Sequence, residues 1–474
     1  MRQSPTPHNS ATPSPQARTS PLDEFQWTVQ PIAEQMVREV LDDAANRSAF
    51  LTELGRRMRD ETGTRLFDWV DHLVAPDAGG LRERLRNAGF IGRFVPGAGE
   101  CYVNEDGIFP AVVPTHAGVT QVFVKVESVA DFLLAMKLDV EGGIEGAPLA
   151  PLRRCRVSEE NDVEVWAIER HGYRGMDVPS IAPEKVAAVL KHSEGFRLRR
   201  RAFANEADGF AHANELLDGS IADLGIDRTC ELFFAAEREY WQRRNRAAQV
   251  QRSRQDRLGL GWANHDHHTY RSSREHFAPL IALLEKLGFQ CRERFYAGHD
   301  AGWGAQVIEQ PVAGITIFAD VDMSPEELVE DFSHKGLAPR KALGTVGLWC
   351  ALHGEAFLEA GMHHLECQFD FEALKAQLEG EEGVKVMKPF TNFPHLRQAF
   401  TEGETWPVRP ERIERLLSAG RITPEQAKQF REKGALGSHL ENLERNQGFK
   451  GFNQTGISEI IARTDPRRQV AATA

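Results

Sequence analysis

The stretch NHDHHTYR, Asn264–Arg271, sets three histidines and an aspartate side by side at positions 265 to 268. Read as a β-strand, it alternates faces: Asp266, His268 and Tyr270 point one way, His265, His267, Thr269 and Arg271 the other. His267 and Arg271 therefore share a face. A neutral imidazole there can hold a metal ion, and a guanidinium beside it can grip a substrate carboxylate through a bidentate fork. The plainer alternative is a pair of polar residues facing solvent on an edge strand.

Outward from this stretch, a helical pattern REHFAPLIALLEKLGF follows, then QCRERFYA, GAQVIEQP and GITIFADVDM as strands. The same order occurs earlier in the chain. LFDWVDHLV (Leu66–Val74) reads as a strand and GGLRERLRNAGF (Gly79–Phe90) as a helix, with extended pieces after it. Asp71-His72 and Asp266-His267 each stand at a strand end, and each following helix finishes in Gly-Phe, at Gly89-Phe90 and Gly288-Phe289. One duplicated unit accounts for both, and the fold class is α+β.

The chain divides accordingly. Residues 1–23 are rich in Ser, Pro and Thr and read as a disordered tail. Residues 24–181 form the first unit, opened by a helical segment from Phe25 to about Arg59. Residues 182–259 read as a polar helical connector, and 260–466 as the second unit. Within the latter, the long run from Arg409 to Arg445 reads as helical, with Thr423-Pro424-Glu425 as cap and first turn. A polar tail, 467–474, closes the chain.

Bulk composition narrows the function. A length of 474 residues calls for two or three packed units. The formal charge of -12 argues against a general nucleic-acid binder. The basic runs Arg197–Phe203 and Gln242–Arg257 have acidic neighbours and read as solvated helix faces. No apolar run reaches the roughly 18 residues of a membrane span. The six cysteines show no paired spacing, which suits reduced thiols in a cytoplasmic protein. Oligomeric state is not legible.

A second histidine pair sits in GMHHLECQFD. His363, Leu365, Cys367 and Phe369 form an apolar face, and His364, Glu366, Gln368 and Asp370 a polar one. Two histidines and one carboxylate form a facial set that leaves three positions open on iron(II). Glu366, Glu309 and Glu441 are candidates for the carboxylate. Glu366 shares a face with His364, but neighbours on one strand face are often too splayed to share an ion. Spacing alone does not choose between the three.

With these residues set out, the second half resembles the 2-oxoadipate dioxygenase/decarboxylase family of the vicinal-oxygen-chelate superfamily, built from paired βαβββ modules. Asp266-His267-His268-Thr269-Tyr270-Arg271 is similar to that family's Asp-His-x-x-Phe-Arg strand, LLEKLGF to its helix end, and His363-His364 to its Asn-His strand. Glu441-Asn442-Leu443-Glu444-Arg445 and the run from Gly448 to Asp465 are similar in order to its closing segments. The resemblance spans Gly261 to Pro466. It implies repeated βαβββ modules with added helical segments, metal ligands at His267, His364 and Glu441, and a substrate-binding, catalytic arginine at Arg271. A shifted register would put Glu366 or Glu444 in the place of Glu441. In the first half His72 matches His267, Gln121 stands where His364 would, and Glu169 is a loose counterpart of Glu441, which implies a scaffold half without a complete metal site.

The implied activity is Fe(II)-dependent oxidative decarboxylation and hydroxylation of a 2-oxo acid such as 2-oxoadipate, with dioxygen as co-substrate and no nucleic-acid or membrane partner. Two rivals stand beside it: a non-redox lyase or isomerase using the same ligands for a Lewis-acid metal, and a scaffold that binds a small acid without turning it over.

Overall fold

The computed structural model describes residues 27–139 and 142–452. The tails expected at 1–23 and 467–474 lie outside them. Two β-sheets of matching order make the frame. The first contains β1 (Val70–Pro76), β2 (Ile91–Val95), β3 (Gly99–Val103), β4 (Ala111–Thr115), β5 (Thr120–Lys125), β6 (Leu152–Glu160) and β7 (Val163–Arg170), ordered β2-β3-β4-β1-β5-β7-β6 in space. The second contains β8 (His265–Arg271), β9 (Gln290–Tyr296), β10 (Trp303–Gln310), β11 (Ile315–Asp322), β12 (His364–Gln368), β13 (Thr391–Phe393), β14 (Leu396–Phe400), β15 (Glu404–Trp406) and β16 (Ala435–Arg445). Its order is β13-β14-β16-β12-β8-β11-β10-β9, with β15 paired to β16 beside that path.

Each sheet opens with a βαβββ module. In the first, β1 leads through the helix Leu81–Asn87 to β2, β3 and β4; in the second, β8 leads through Phe277–Lys286 to β9, β10 and β11. The opening strand lies parallel to the last of its module, β1 to β4 and β8 to β11. A parallel pair needs a long connection, which the helix and two strands supply. A second module starts at β5 and at β12, and these pair antiparallel with β1 and β8 at the middle of each sheet. The fold is thus the α+β, βαβββ-type architecture expected.

Three local readings change. The first strand begins only at Val70, because Leu66–Trp69 forms a 3-10 turn closed by the Arg65–Asp68 ion pair at 2.7 Å. His72 and His267 are both third in their strands rather than last, since β1 runs on to Pro76 and β8 to Arg271. The largest change is at the C-terminal end. The helix Pro424–Lys433 has the Thr423 cap as read, but it stops where Gly434 takes φ +73°. Ala435–Arg445 is then a strand, not a helix, slotted between β12 and β14. Sheet pairing overrides the helical preference of LENLER, as tertiary context commonly does. Gly437 suits that slot, because a Cβ there would lie 2.0 Å from the Trp406 ring.

Residues 182–259 form four helices, Pro183–Leu198, Glu206–Leu224, Ile226–Gln242 and Arg246–Asp256. They are less polar than read: Phe196, Phe210, Phe233, Phe234 and Trp241 enter the main core. The first basic run is a solvated face only in part: Arg197 and Arg200 are exposed, whereas Arg199 is buried and Arg201 half-buried against Glu237, at 2.9 and 2.6 Å. Ile226–Gln242 backs β8, with Phe234 edge-on to His268 and Tyr270. That backing fixes which face of β8 is left to line a cavity. All six cysteines are free thiols, five of them buried. Among the described residues, no helix is long and apolar enough to cross a membrane.

Candidate metal centre

β8, β12 and β16 lie side by side at the middle of the second sheet, and their register places His267 opposite Glu366 and Glu366 opposite Glu441. One row across three strands thus presents an imidazole and two carboxylates, with a ligand atom from each within 4.8 Å of the others. His267 Nε2 is 3.3 Å from Glu366 Oε1. His364, two residues before Glu366, leans into the same point. Its Nε2 touches Glu366 Oε1 and lies 3.9 Å from Glu441 Oε2. The Cα positions of same-face neighbours are about 7 Å apart, but these two long side chains close that gap.

The structure therefore brings His267, His364 and Glu441 together, and adds Glu366 to them. The other carboxylates weighed lie elsewhere. Glu309 pairs with Arg292 and Lys450 at 3.5 and 3.6 Å. Glu444 accepts a hydrogen bond from the Phe371 backbone N–H. Of the neighbouring histidines, His268 faces the helix behind the sheet, and His265 bonds the Trp262 carbonyl where the β8–β12 register slips.

Each donor has a partner behind it. Asp266 Oδ1 is 2.7 Å from His267 Nδ1, so the N–H donates there and Nε2 presents its lone pair to the row. Asp266 is itself clamped by Arg445 at 2.8 and 3.0 Å. His364 Nδ1 meets His439 Nε2 at 3.0 Å. Gln398 donates to Glu441 Oε1 at 2.8 Å, and Thr269 to Glu366 Oε1 at 3.1 Å. His439 and Gln398 were not singled out from sequence. The alternation of His439 with Glu441 would have exposed the first, had the segment been read as a strand.

Electrostatics follow from burial. Dehydration lowers the basicity of His267 and, helped by His439 and Arg271, of His364, so both stay neutral. Burial pushes the Glu441 carboxyl up to about 7, and burial with Glu441 alongside raises Glu366 well above the usual range. Asp266 is buried too, yet Arg445 and His267 hold it far below its ordinary value. The ion-pair partners of Glu366 and Glu441 are the two neutral histidines. Two carboxylates and two imidazoles, oriented from behind and short of positive charge, fit a divalent cation.

The donors open on a cavity of about 70 Å³ walled by Phe295, Trp303, Phe318, Phe390, Phe400 and Phe452. Arg271 lines it too, 3% exposed, with Nε 4.0 Å from Asp320 Oδ2 and its guanidinium over the Trp349 ring. Burial lifts Asp320 to about 8 despite the pull of Arg271. His363, assigned from sequence to the apolar face, also lines the cavity, because it precedes β12 and is held by the Gly437 carbonyl.

The first sheet allows a register comparison. Gln121 pairs with Val74 as His364 pairs with Thr269, so it does hold the place of His364. Glu366 and Glu441 correspond to Phe123 and Trp166. Glu169 is not the counterpart of Glu441: it lies three residues further on, bound to Arg153 and His171 at 3.0 and 2.6 Å.

No protein-family model and no curated protein matches the sequence. Solved structures similar to the chain include a protein from Ralstonia eutropha JMP134 described as of the glyoxalase superfamily, with 12% identity over 58% of this chain and 99% of that one, at a TM-score of 0.33. A mutant of 4-hydroxymandelate synthase from Streptomyces coelicolor is 11% identical over 84% of this chain and 98% of that one, at 0.25. An uncharacterized protein from Shigella flexneri that includes domain DUF1338 is 13% identical over 61% and 87%, at 0.25. Likenesses this distant leave the fold class to rest on strand order.

Proposed function

We propose that the protein is an iron(II)-dependent enzyme that oxidatively decarboxylates and hydroxylates a 2-oxo acid such as 2-oxoadipate, with His267, His364 and Glu441 as metal ligands and Arg271 as the substrate-binding cation. The observation that supports it most is the convergence of those three side chains, from three adjacent strands, on one buried cavity that Arg271 also lines. When bound, the ion supplies a Lewis-acidic centre with open positions for the substrate and dioxygen.

The chain's own groups do the rest. Asp266 holds the proton of His267 at Nδ1 and so keeps Nε2 free for the ion. Arg271 attracts the substrate carboxylate and orients it by paired N–H donors. Asp320 lies beside that guanidinium, 4.0 Å from Arg271 Nε, and burial holds its carboxyl up at about 8. The six aromatic walls exclude water, which strengthens every charge interaction inside.

The test is oxygen uptake and carbon dioxide release by protein reconstituted anaerobically with iron(II), on adding 2-oxoadipate or related 2-oxo acids without co-substrate. His267→Ala should abolish both, and a null result across the acids with wild type would sink the reading.

Glu366 favours a second reading, non-redox lyase or isomerase chemistry, since an additional carboxylate at the centre suits proton transfer beside a carbonyl. Anaerobic exchange of substrate protons into heavy water would reveal it. Tight metal binding with neither activity would favour the scaffold.

A further inference from the structure

We propose that Glu366 is itself a metal ligand, so that the ion is held by two imidazoles and two carboxylates rather than by a three-residue facial set. The proposal rests on the metal-binding reading of the cavity and extends it.

Three observations support it. Glu366 occupies the middle of the row, directly cross-strand from His267 on one side and Glu441 on the other. Its Oε1 is the atom on which the others close, 3.3 Å from His267 Nε2 and in contact with His364 Nε2. An ion bound by the other three would have this oxygen among its nearest neighbours. Second, charge has to balance. Glu366 is 0% exposed and Glu441 2%, and among the described residues neither has a Lys or Arg ion-pair partner: the groups paired with them are the imidazoles of His267 and His364. A divalent ion with two carboxylates makes a neutral unit. One with a single ligating carboxylate would leave the second as a buried anion beside it, or protonated and without function. Third, the molecule contains its own control. In the first sheet the supporting Asp71, His72 and Arg170 persist, while the positions of Glu366 and Glu441 hold Phe123 and Trp166. The two acids are absent together where the full donor set is absent, as two ligands of one ion would be.

The chemical consequence is a count. A six-coordinate ion held by four side chains keeps two open positions, against three for the facial set. A 2-oxo acid bound through one oxygen would leave the other position for dioxygen, whereas one bound through two oxygens would fill both. Glu366 thus limits what else reaches the ion, and bears directly on the choice between oxygen-dependent and non-redox chemistry.

The experiment is a cobalt(II) titration of chelator-treated, full-length protein by equilibrium dialysis, with the visible spectrum of the bound ion recorded alongside. The variants are Glu366→Gln, Glu366→Asp and Glu441→Gln. Wild type should bind one ion. Glu366→Gln should weaken binding by about 100-fold, at least the upper end of what losing an outer-shell partner costs, and should match Glu441→Gln. Glu366→Asp should recover part of the loss, and the cobalt spectrum should change with each. Thermal melts of the metal-free forms separate this from misfolding: Glu366→Gln removes one of two adjacent buried carboxylates and should melt higher than wild type without metal. Wild-type affinity and an unchanged spectrum in Glu366→Gln, with binding lost in Glu441→Gln, would overturn the proposal and leave the three-ligand site standing. Failure of wild type to bind cobalt would overturn both.

Discussion

The two sheets carry corresponding rows of side chains across their three central strands. In the second sheet the row is His267, Glu366, Glu441; in the first it is His72, Phe123, Trp166. The first row is a stack, with His72 lying 3.9 Å from Phe123 at 15° and Phe123 lying 5.6 Å from Trp166 at 16°. Behind both rows the support is the same. Asp71 holds His72 Nδ1 at 2.6 Å and is clamped by Arg170 at 2.8 Å, as Asp266 holds His267 and is clamped by Arg445. Each arginine also reaches forward to two carbonyls of the following loop, Tyr173 and Gly175 in one case, Phe449 and Gly451 in the other. The Asp-His-Arg unit is therefore architectural, tying the opening strand of the sheet to the strand two places away and to the loop beyond. Two carboxylates complete the row in one sheet and two aromatic rings complete it in the other.

The sharpest way to break this comparison is to truncate the two histidines in turn. His267→Ala should take metal binding below detection, whereas His72→Ala should leave stoichiometry and affinity unchanged and cost only the stability of its ring contacts. Metal titration of both variants decides it, and loss of metal in His72→Ala would mean that the first sheet is not a scaffold.

The arginines sharpen it further. Arg170→Ala and Arg445→Ala each strand a buried aspartate, and each should lose about 3–5 kcal/mol in urea denaturation. Arg445→Ala should additionally weaken metal binding by about 10–100-fold through the loosened His267. Equal metal affinity in the two variants would refute that division of labour.

A smaller effect is expected from the ion alone. At free metal 100 times its Kd, wild type should gain about 2.7 kcal/mol over the chelated form. The Glu366→Phe/Glu441→Trp double variant, which copies the first row into the second sheet, should show no shift on adding metal, as read by thermal melts.

The smallest effect is a pH dependence in the first sheet. Burial holds His72 below its ordinary 6.5, and Asp71 only partly offsets this. A neutral imidazole is therefore favoured in the fold: its contribution is full above the unfolded pKa and is lost as pH falls from about 6.5 toward the lowered folded value. Wild type should lose more stability between pH 7 and pH 5.5 than His72→Phe does, in paired denaturation curves. Parallel pH profiles would show that His72 does not titrate on unfolding.

Much of this organisation was legible in the chain itself because it is local. Strand alternation put His267, Thr269 and Arg271 on one face and His364 with Glu366 on another, and the cavity is lined by those residues. The repeated Asp-His followed by a helix ending in Gly-Phe disclosed the duplication, since both copies preserve the turn glycine, Gly89 and Gly288, at positive φ. Tertiary structure alone decided what happens across strands. Residues 435–445 have a helix former's composition and become β16 only because the slot between β12 and β14 offers hydrogen bonds on both sides. That strand brings His439 to His364 from 75 positions away, and Glu441 to Glu366. Face alternation is a property of consecutive residues, whereas register depends on which distant segment pairs and at which offset, so which carboxylates meet His267 and His364 was set by the sheet.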